Sequence, residues 1–233
     1  VSSHDRTVKA EEVNPAVRRF SAIGLLVALT ILFAAFPFIE KLESGDMLKS
    51  ILLTVVLLSA VWTIAGRGPI LVTALVLAVP TLAARWVHLY RPDLLPPEIF
   101  LVGAILLVLF VNYHLLRSVL RAQEVTTEVL CASIAAYLLL GLVWTFAYWL
   151  VAELIPGAFS LNVTSGSDGS IKSFNGFYFS FITLSTVGYG DITPVASVAR
   201  MLAAAEAMTG LLYVAVLIAR LVSLHVPKST NDN

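Results

Sequence analysis

The sequence predicts an all-α membrane protein with six transmembrane helices and, between the fifth and sixth, a short re-entrant helix that enters the bilayer and turns back. Three observations lead there. Hydrophobic residues make up 58% of the 233 and charged residues only 13%, about half the charged share of an ordinary soluble domain. Six apolar runs come close to the roughly 20 residues that cross about 30 Å of hydrocarbon as a helix. Between the last two runs lies an apolar stretch too short to cross, followed by Thr186-Val187-Gly188-Tyr189-Gly190-Asp191.

The first run, residues 20–39, follows Arg18-Arg19 and is closed by Glu40-Lys41. It is too long for a signal-peptide core and lacks a small-residue cleavage pattern, so it is expected to stay as the first span, with 1–19 a cytoplasmic segment. The second, 48–65, ends in Gly66-Arg67-Gly68-Pro69, a turn whose proline suits the first turn of the next helix. The third, 70–89, carries Pro80, which predicts a kink. The fourth, 98–116, begins after Pro96-Pro97, and 20–116 together form a four-helix transmembrane domain. Residues 117–128 read as an amphipathic connector at the membrane surface, with Val119 and Leu120 on its apolar side and 117–126 as the linker proper. The fifth run covers 127–155 and the sixth 195–224; with the segment between them they form a second domain, 127–224, ahead of a cytoplasmic tail, 225–233. At 1.5 Å per residue the sixth reaches roughly 45 Å, enough to cross with a steep tilt.

Residues 156–173, rich in Gly, Ser and Asn, read as an exposed loop, and 174–185 as the short helix. Non-helical backbone at membrane depth survives only where it is buried in protein or lines water, so the segment predicts an aqueous pore. It occurs once in the chain, and a closed ring around an axis therefore needs several copies. With both termini inside, nine basic residues face inward and six outward. That is the excess expected of cytoplasmic segments, here of a plasma or inner membrane.

Several chemistries are disfavoured. Fifteen basic and fifteen acidic residues balance, so nothing points to nucleic acid. Cys131 is the single cysteine and sits in an apolar run, which excludes an intrachain disulfide. His88, His114 and His225 are scattered at span ends and read as packing residues, not metal ligands. No nucleophile, base and orienting group gather at one membrane face, which argues against an enzyme, and no organic cofactor is implied. Asn162-Val163-Thr164 fits a glycosylation acceptor in the outer loop.

The six-residue string has a physical logic of its own. Successive backbone carbonyls can face one side only where ordinary and left-handed conformations alternate, and Gly188 and Gly190 permit this without a Cβ clash. Thr186 can add its hydroxyl as the innermost ligand, while Val187 and Tyr189 are expected to turn away and pack on the short helix. In these residues, and in the spans around them, the chain resembles the tetrameric potassium channel superfamily over roughly 128–224. More specifically it is similar to six-transmembrane bacterial channels with a voltage-sensor-like domain.

The resemblance implies a fourfold homotetramer. Potassium ions would sit against Thr186, Val187, Gly188 and Tyr189, with Gly190 completing the filter. The short helix would aim its C-terminal dipole at the ion path. Tyr178 and Phe179 occupy the place of an aromatic pair that is two tryptophans in many relatives; Tyr178 could donate to Asp191 behind the filter. Ile182 stands where some relatives keep a buried glutamate, so a carboxylate brake at that position is not expected. Gly210, nineteen residues past Asp191, matches a hinge glycine, although a mid-helix glycine equally marks close helix packing. Leu211, Val214, Ile218 and Val222 recur at helical spacing and would line the inner pore.

Glu206 is the lone carboxylate deep in a predicted span, which makes it a functional hypothesis. It is expected to face the short helix, satisfied by Thr183 or Ser185, with a structural bond weighed against a role in gating. Arg200 reads as an outer anchor. Helix four has no charge between Ile99 and Leu116, only Arg117 and Arg121 at its inner end, and helices two and three offer no acidic partners. Voltage sensing needs several embedded charges at about 2.3 kcal/mol each per 100 mV, so weak or absent voltage dependence is expected. No nucleotide-binding unit is read in residues 225–233; if the sequence is complete, the expected stimulus is lipid, tension, pH, an outside ligand or the filter itself. The alternatives to a potassium-selective subunit are a weakly selective cation channel and a non-conducting regulatory subunit. Lipids are the remaining expected partners.

Overall fold

Apolar runs bounded by proline, glycine and charge become helices α1 (Pro15–Ile39), α2 (Gly45–Ile64), α3 (Gly68–Tyr90), α4 (Pro97–Leu120) and α5 (Thr127–Leu154). A shorter helix, α6 (Phe174–Leu184), and a long one, α7 (Ser197–His225), complete the order. The computed structural model describes residues 15–39, 42, 45–64, 68–161, 170–172 and 174–225. All the helices except α6 are long and apolar enough to cross a membrane, six in number, and the chain is an integral membrane protein built almost wholly of helix. Asn162 and Thr164 lie outside the described residues.

Local chemistry explains the boundaries. Pro96 and Pro97 open α4, where a missing N–H costs nothing. Thr126 caps α5, its side chain accepting from the Val129 amide at 3.3 Å, with Glu128 in the first turn. α3 continues through Pro80 and α1 through Pro37.

Three expectations change. α2 starts at Gly45, which takes Asp46 and Lys49 into a spanning helix and gives helix two an acidic residue after all. α4 runs past Arg117 to Leu120, so the connector has no amphipathic helix of its own and only 121–126 lie between α4 and α5. Finally, the loop after α5 is not simply exposed: Ala158, Phe159 and Ile171 are buried. Strand β1 (Phe159–Leu161) pairs antiparallel with β2 (Ile192–Pro194), with Ser160 opposite Thr193.

Between helices in lipid there is no water to expel, so close packing and interhelical hydrogen bonds carry association. α1 packs on α2 and α5, α4 on α3 and α5, and α6 between α5 and α7. One apolar cluster, including Leu25, Phe36, Leu57, Leu107, Leu139 and Phe146, joins the first four helices to α5. A smaller one gathers Tyr148, Phe159, Phe179, Ile182 and Ile192 behind the loop that follows α6. Its rings meet edge to face, Tyr148 and Phe179 with centroids 4.9 Å apart.

Candidate functional site

The loop 186–191 is hung from the end of α6. The amides of Val187 and Gly188 both donate to the Ile182 carbonyl, at 2.9 and 3.2 Å, and Thr186 N donates to Thr183 O at 2.9 Å. These bonds satisfy carbonyls that a helix C-terminus leaves open. Beyond them the backbone alternates: φ is +60° at Thr186, +52° at Gly188 and +79° at Gly190, and Val187 and Tyr189 between them are not left-handed. Two of the three are glycines, for which this region is cheap. Thr186 is β-branched and is strained there.

The far end of the loop is tied down as well. Tyr178 donates to Asp191 Oδ2 at 2.8 Å, and Asp191 Oδ1 accepts from the Ile192 amide at 3.1 Å. Burial first, and then the bond to Asp191, push the Tyr178 phenol up to about 12, so the donor keeps its proton. The strand pair and the bond from Val195 N to Ala158 O, 2.8 Å, hold the exit against the end of α5. Arg200 Nε donates to Pro194 O at 3.2 Å, anchoring α7 to the same exit.

Val187 and Tyr189 do not pack on α6 within one chain: they are 53% and 73% exposed. Leu211, Val214, Ile218 and Val222 are exposed too, along with Met208, Leu212 and Val216 on other sides of α7.

Glu206 is 0% exposed, and its partners differ from those expected. Tyr148 of α5 donates to Oε2, and Ser180 of α6 lies 2.6 Å from Oε1; Thr183 and Ser185 are not involved. The Ser180 hydroxyl is also 2.7 Å from the Gly141 carbonyl of α5. One carboxylate thus joins three helices immediately behind the loop. A carboxyl group does lie behind α6, supplied by α7 and not by the position of Ile182. Tyr148 was not anticipated; a lone tyrosine hydroxyl in a buried helix face, which needs a partner, was the available signal.

Gly210 is buried, and a Cβ built on it would run into the Leu184 carbonyl at the end of α6. The glycine therefore has a packing reason, and α7 is one helix across it. Lower down, Tyr213 donates to Ser133 O at 2.6 Å and Arg220 Nη2 to Ala122 O at 2.6 Å, connecting α7 to α5 and to the link that precedes it. Among the described residues no group of His, Cys, Asp and Glu could hold a metal ion.

Comparison with known proteins converges on the same segment. Residues 125–226 match a family described as ion channel. Two-pore potassium channel 1 of Arabidopsis thaliana is 35% identical over 95 residues, 41% of this chain and 23% of that protein. Two pore potassium channel b of Oryza sativa subsp. japonica is 30% identical over 95 residues, 41% of this chain and 24% of that protein. Two-pore potassium channel 4 of Arabidopsis thaliana is 47% identical over 47 residues, 20% of this chain and 16% of that protein. The chain spans about a quarter or less of the length of these relatives. The match and the relatives thus fall on one stretch of the chain, from the start of α5 to the end of α7.

Proposed function

We propose that the chain is one subunit of a homotetrameric potassium-selective channel. In this reading α6 is the re-entrant pore helix, and the carbonyls of Thr186, Val187, Gly188 and Tyr189 replace the hydration shell of potassium. The observation that carries it is the alternation of left-handed residues at Thr186, Gly188 and Gly190. A β-branched residue is held there at a cost of order 1–3 kcal/mol, which surrounding bonds must impose.

Assembly follows from what a single chain leaves open. Val187, Tyr189 and much of the apolar surface of α7 are exposed, and neighbouring copies around an axis would cover part of it. Leu211, Val214, Ile218 and Val222 would line the inner pore, where an apolar ring can close by dewetting. Gly210 serves as the contact on which α7 pivots, and Glu206 couples that pivot to the pore helix. In this reading a four-helix domain (20–116, with α4 extending to Leu120) leads through a linker read from sequence as 117–126, of which 121–126 lie between helices, to a pore domain (127–224), with both termini cytoplasmic.

The test is potassium flux into liposomes carrying the purified chain, with reversal potentials in mixed potassium and sodium. Potassium-selective flux that Gly188→Asp abolishes is the expected result. Equal permeability to sodium would favour a weakly selective cation channel, and absence of flux under every trigger a regulatory subunit.

A further inference from the structure

Helix α6 carries three phenylalanines, Phe174, Phe177 and Phe181, at spacings of three and four residues, which places them on one face. Two rings of α1 meet that face. Phe33 packs edge to face on both Phe177 and Phe181, with centroids 4.7 and 4.2 Å away. Phe36 stacks on Phe177 at 4.9 Å and reaches Phe174 at 6.3 Å. Phe177 and Phe181 also touch each other, at 4.8 Å. Among the described residues, the ring contacts between the first four helices and α6 all come from α1.

These rings grip the part of α6 that carries the loop 186–191. The Phe181 ring, in contact with Phe33, also packs on the backbone of α5, where a Cβ built on Gly141 would run into it. The backbone of the same residue and of its neighbour bears the loop. The Phe181 carbonyl accepts from Ser185 N at 3.1 Å, and the Ile182 carbonyl accepts from Val187 and Gly188. A turn of α6 about its axis would therefore carry the ring and both carbonyls together. Ser180, one residue earlier, is bonded to Glu206 of α7 and to Gly141 of α5, so α7, α5 and α1 all hold α6 at adjacent residues. In lipid there is no water to expel between helices, and the α1 contact depends on how the rings fit. At the same level α1 lacks one helical bond, because Pro37 has no amide hydrogen to donate to the Phe33 carbonyl four residues before it.

We propose that Phe33 and Phe36 are positioning residues for the loop 186–191. Through Phe177 and Phe181 they set the rotation of α6, and with it the place of the Ile182 carbonyl from which Val187 and Gly188 hang. A displacement of α1 then reaches the loop directly, without passing through the link between α4 and α5. That the loop so positioned selects potassium rests on the proposed channel function; that α1 positions it does not.

Hydrogen exchange of the full chain in phosphatidylcholine nanodiscs tests this, followed at the amides of 186–191 in wild type, Phe33→Leu and Phe100→Leu. Phe100→Leu makes the same change of size in another ring contact between the four-helix part and α5, that with Phe146 at 5.9 Å. Phe33→Leu is expected to speed exchange at Val187 and Gly188 about tenfold, while Phe100→Leu leaves it within about twofold of wild type. Exchange in Phe33→Leu equal to wild type overturns the proposal. So does equal acceleration by Phe100→Leu, which would mark a general loosening. Where Phe33→Leu fails to fold, Phe33→Met, which keeps most of the volume without a ring, replaces it under the same two outcomes. Reversal potentials of the wild type in liposomes test the channel reading separately: a silent or unselective wild type counts against that reading, and exchange still decides whether α1 positions the loop.

Discussion

The first four helices and the last three meet the same problem, polar groups inside lipid, with a different share of bonds between helices. In α1 to α4 hydroxyls mostly turn back on their own helix. Thr30, Thr54, Thr73 and Thr81 each donate to the carbonyl four residues earlier. Side-chain bonds between these helices include those of Arg85 to Ser50 and Trp86 to Thr54, both from α3 to α2. In α5 to α7 the same back-bonds occur, at Ser133, Thr145, Ser185 and Thr209, but further bonds cross between helices. Tyr148 and Ser180 meet Glu206, Tyr213 reaches Ser133 O, and Tyr137 reaches Leu184 O at 3.4 Å. A self-satisfied helix can slide against its neighbours at little cost, whereas directional bonds between helices specify one register. The contrast teaches that geometry is enforced where the loop 186–191 must be positioned.

The largest expected effect breaks that network at its centre. Glu206→Ala strands the Tyr148 hydroxyl, at about 1–3 kcal/mol for a buried donor, and leaves Ser180 with the Gly141 carbonyl as its acceptor. Thermal unfolding of the purified protein should fall sharply. Glu206→Gln keeps one acceptor and supplies a donor, and should recover most of the loss. Equal damage from both variants would show that charge, not hydrogen bonding, is what the three helices require.

Gly210→Ala comes next, because the new Cβ meets a backbone carbonyl that cannot rotate away. Overpacking of this kind costs about 1–3 kcal/mol, and is expected to lower stability and flux together. A variant of normal stability with altered flux alone would instead sharpen the hinge reading. Tyr178→Phe should cost about 1–2 kcal/mol through the lost bond to Asp191. The folded phenol holds its proton more tightly than an unfolded one, so this contribution is whole below about pH 10. It is lost as pH rises through about 12. Unfolding measured against pH, wild type beside Tyr178→Phe, should show the difference vanish in that window.

How much of this was legible in sequence depended on range. The spans were readable because hydropathy is a local property, and α5 and α6 begin where composition places them. The pairing of Phe159–Leu161 with Ile192–Pro194 was not: three-residue strands carry no periodicity, and Pro194 argues against one. Glu206 was read towards α6 but one turn too low. The error has a definite source. Gly210 meets Leu184, and Glu206, four residues earlier, meets Ser180, four residues before Leu184. α6 and α7 thus run parallel in step, so placing Gly210 first would have placed Glu206. Val187 and Tyr189 were expected on α6 and are exposed in the single chain; in the proposed tetramer a neighbouring copy would cover them.

The smallest expected effect tests the other half of the comparison. Thr73 is exposed on α3, and its hydroxyl donates to Pro69 O at 3.1 Å within the same helix. Thr73→Val removes that bond without stranding a group elsewhere, because Pro69 O loses only a supplementary donor, and Val packs against lipid at least as well. A bond that closes on its own helix also exists when the helix stands apart in the bilayer, so it contributes little to bringing helices together. Thermal unfolding of this variant should match wild type to within about 0.5 kcal/mol. A loss as large as that of Tyr178→Phe would mean that α1 to α4 are held by directional bonds as well, and the division between the two halves of the chain would not stand.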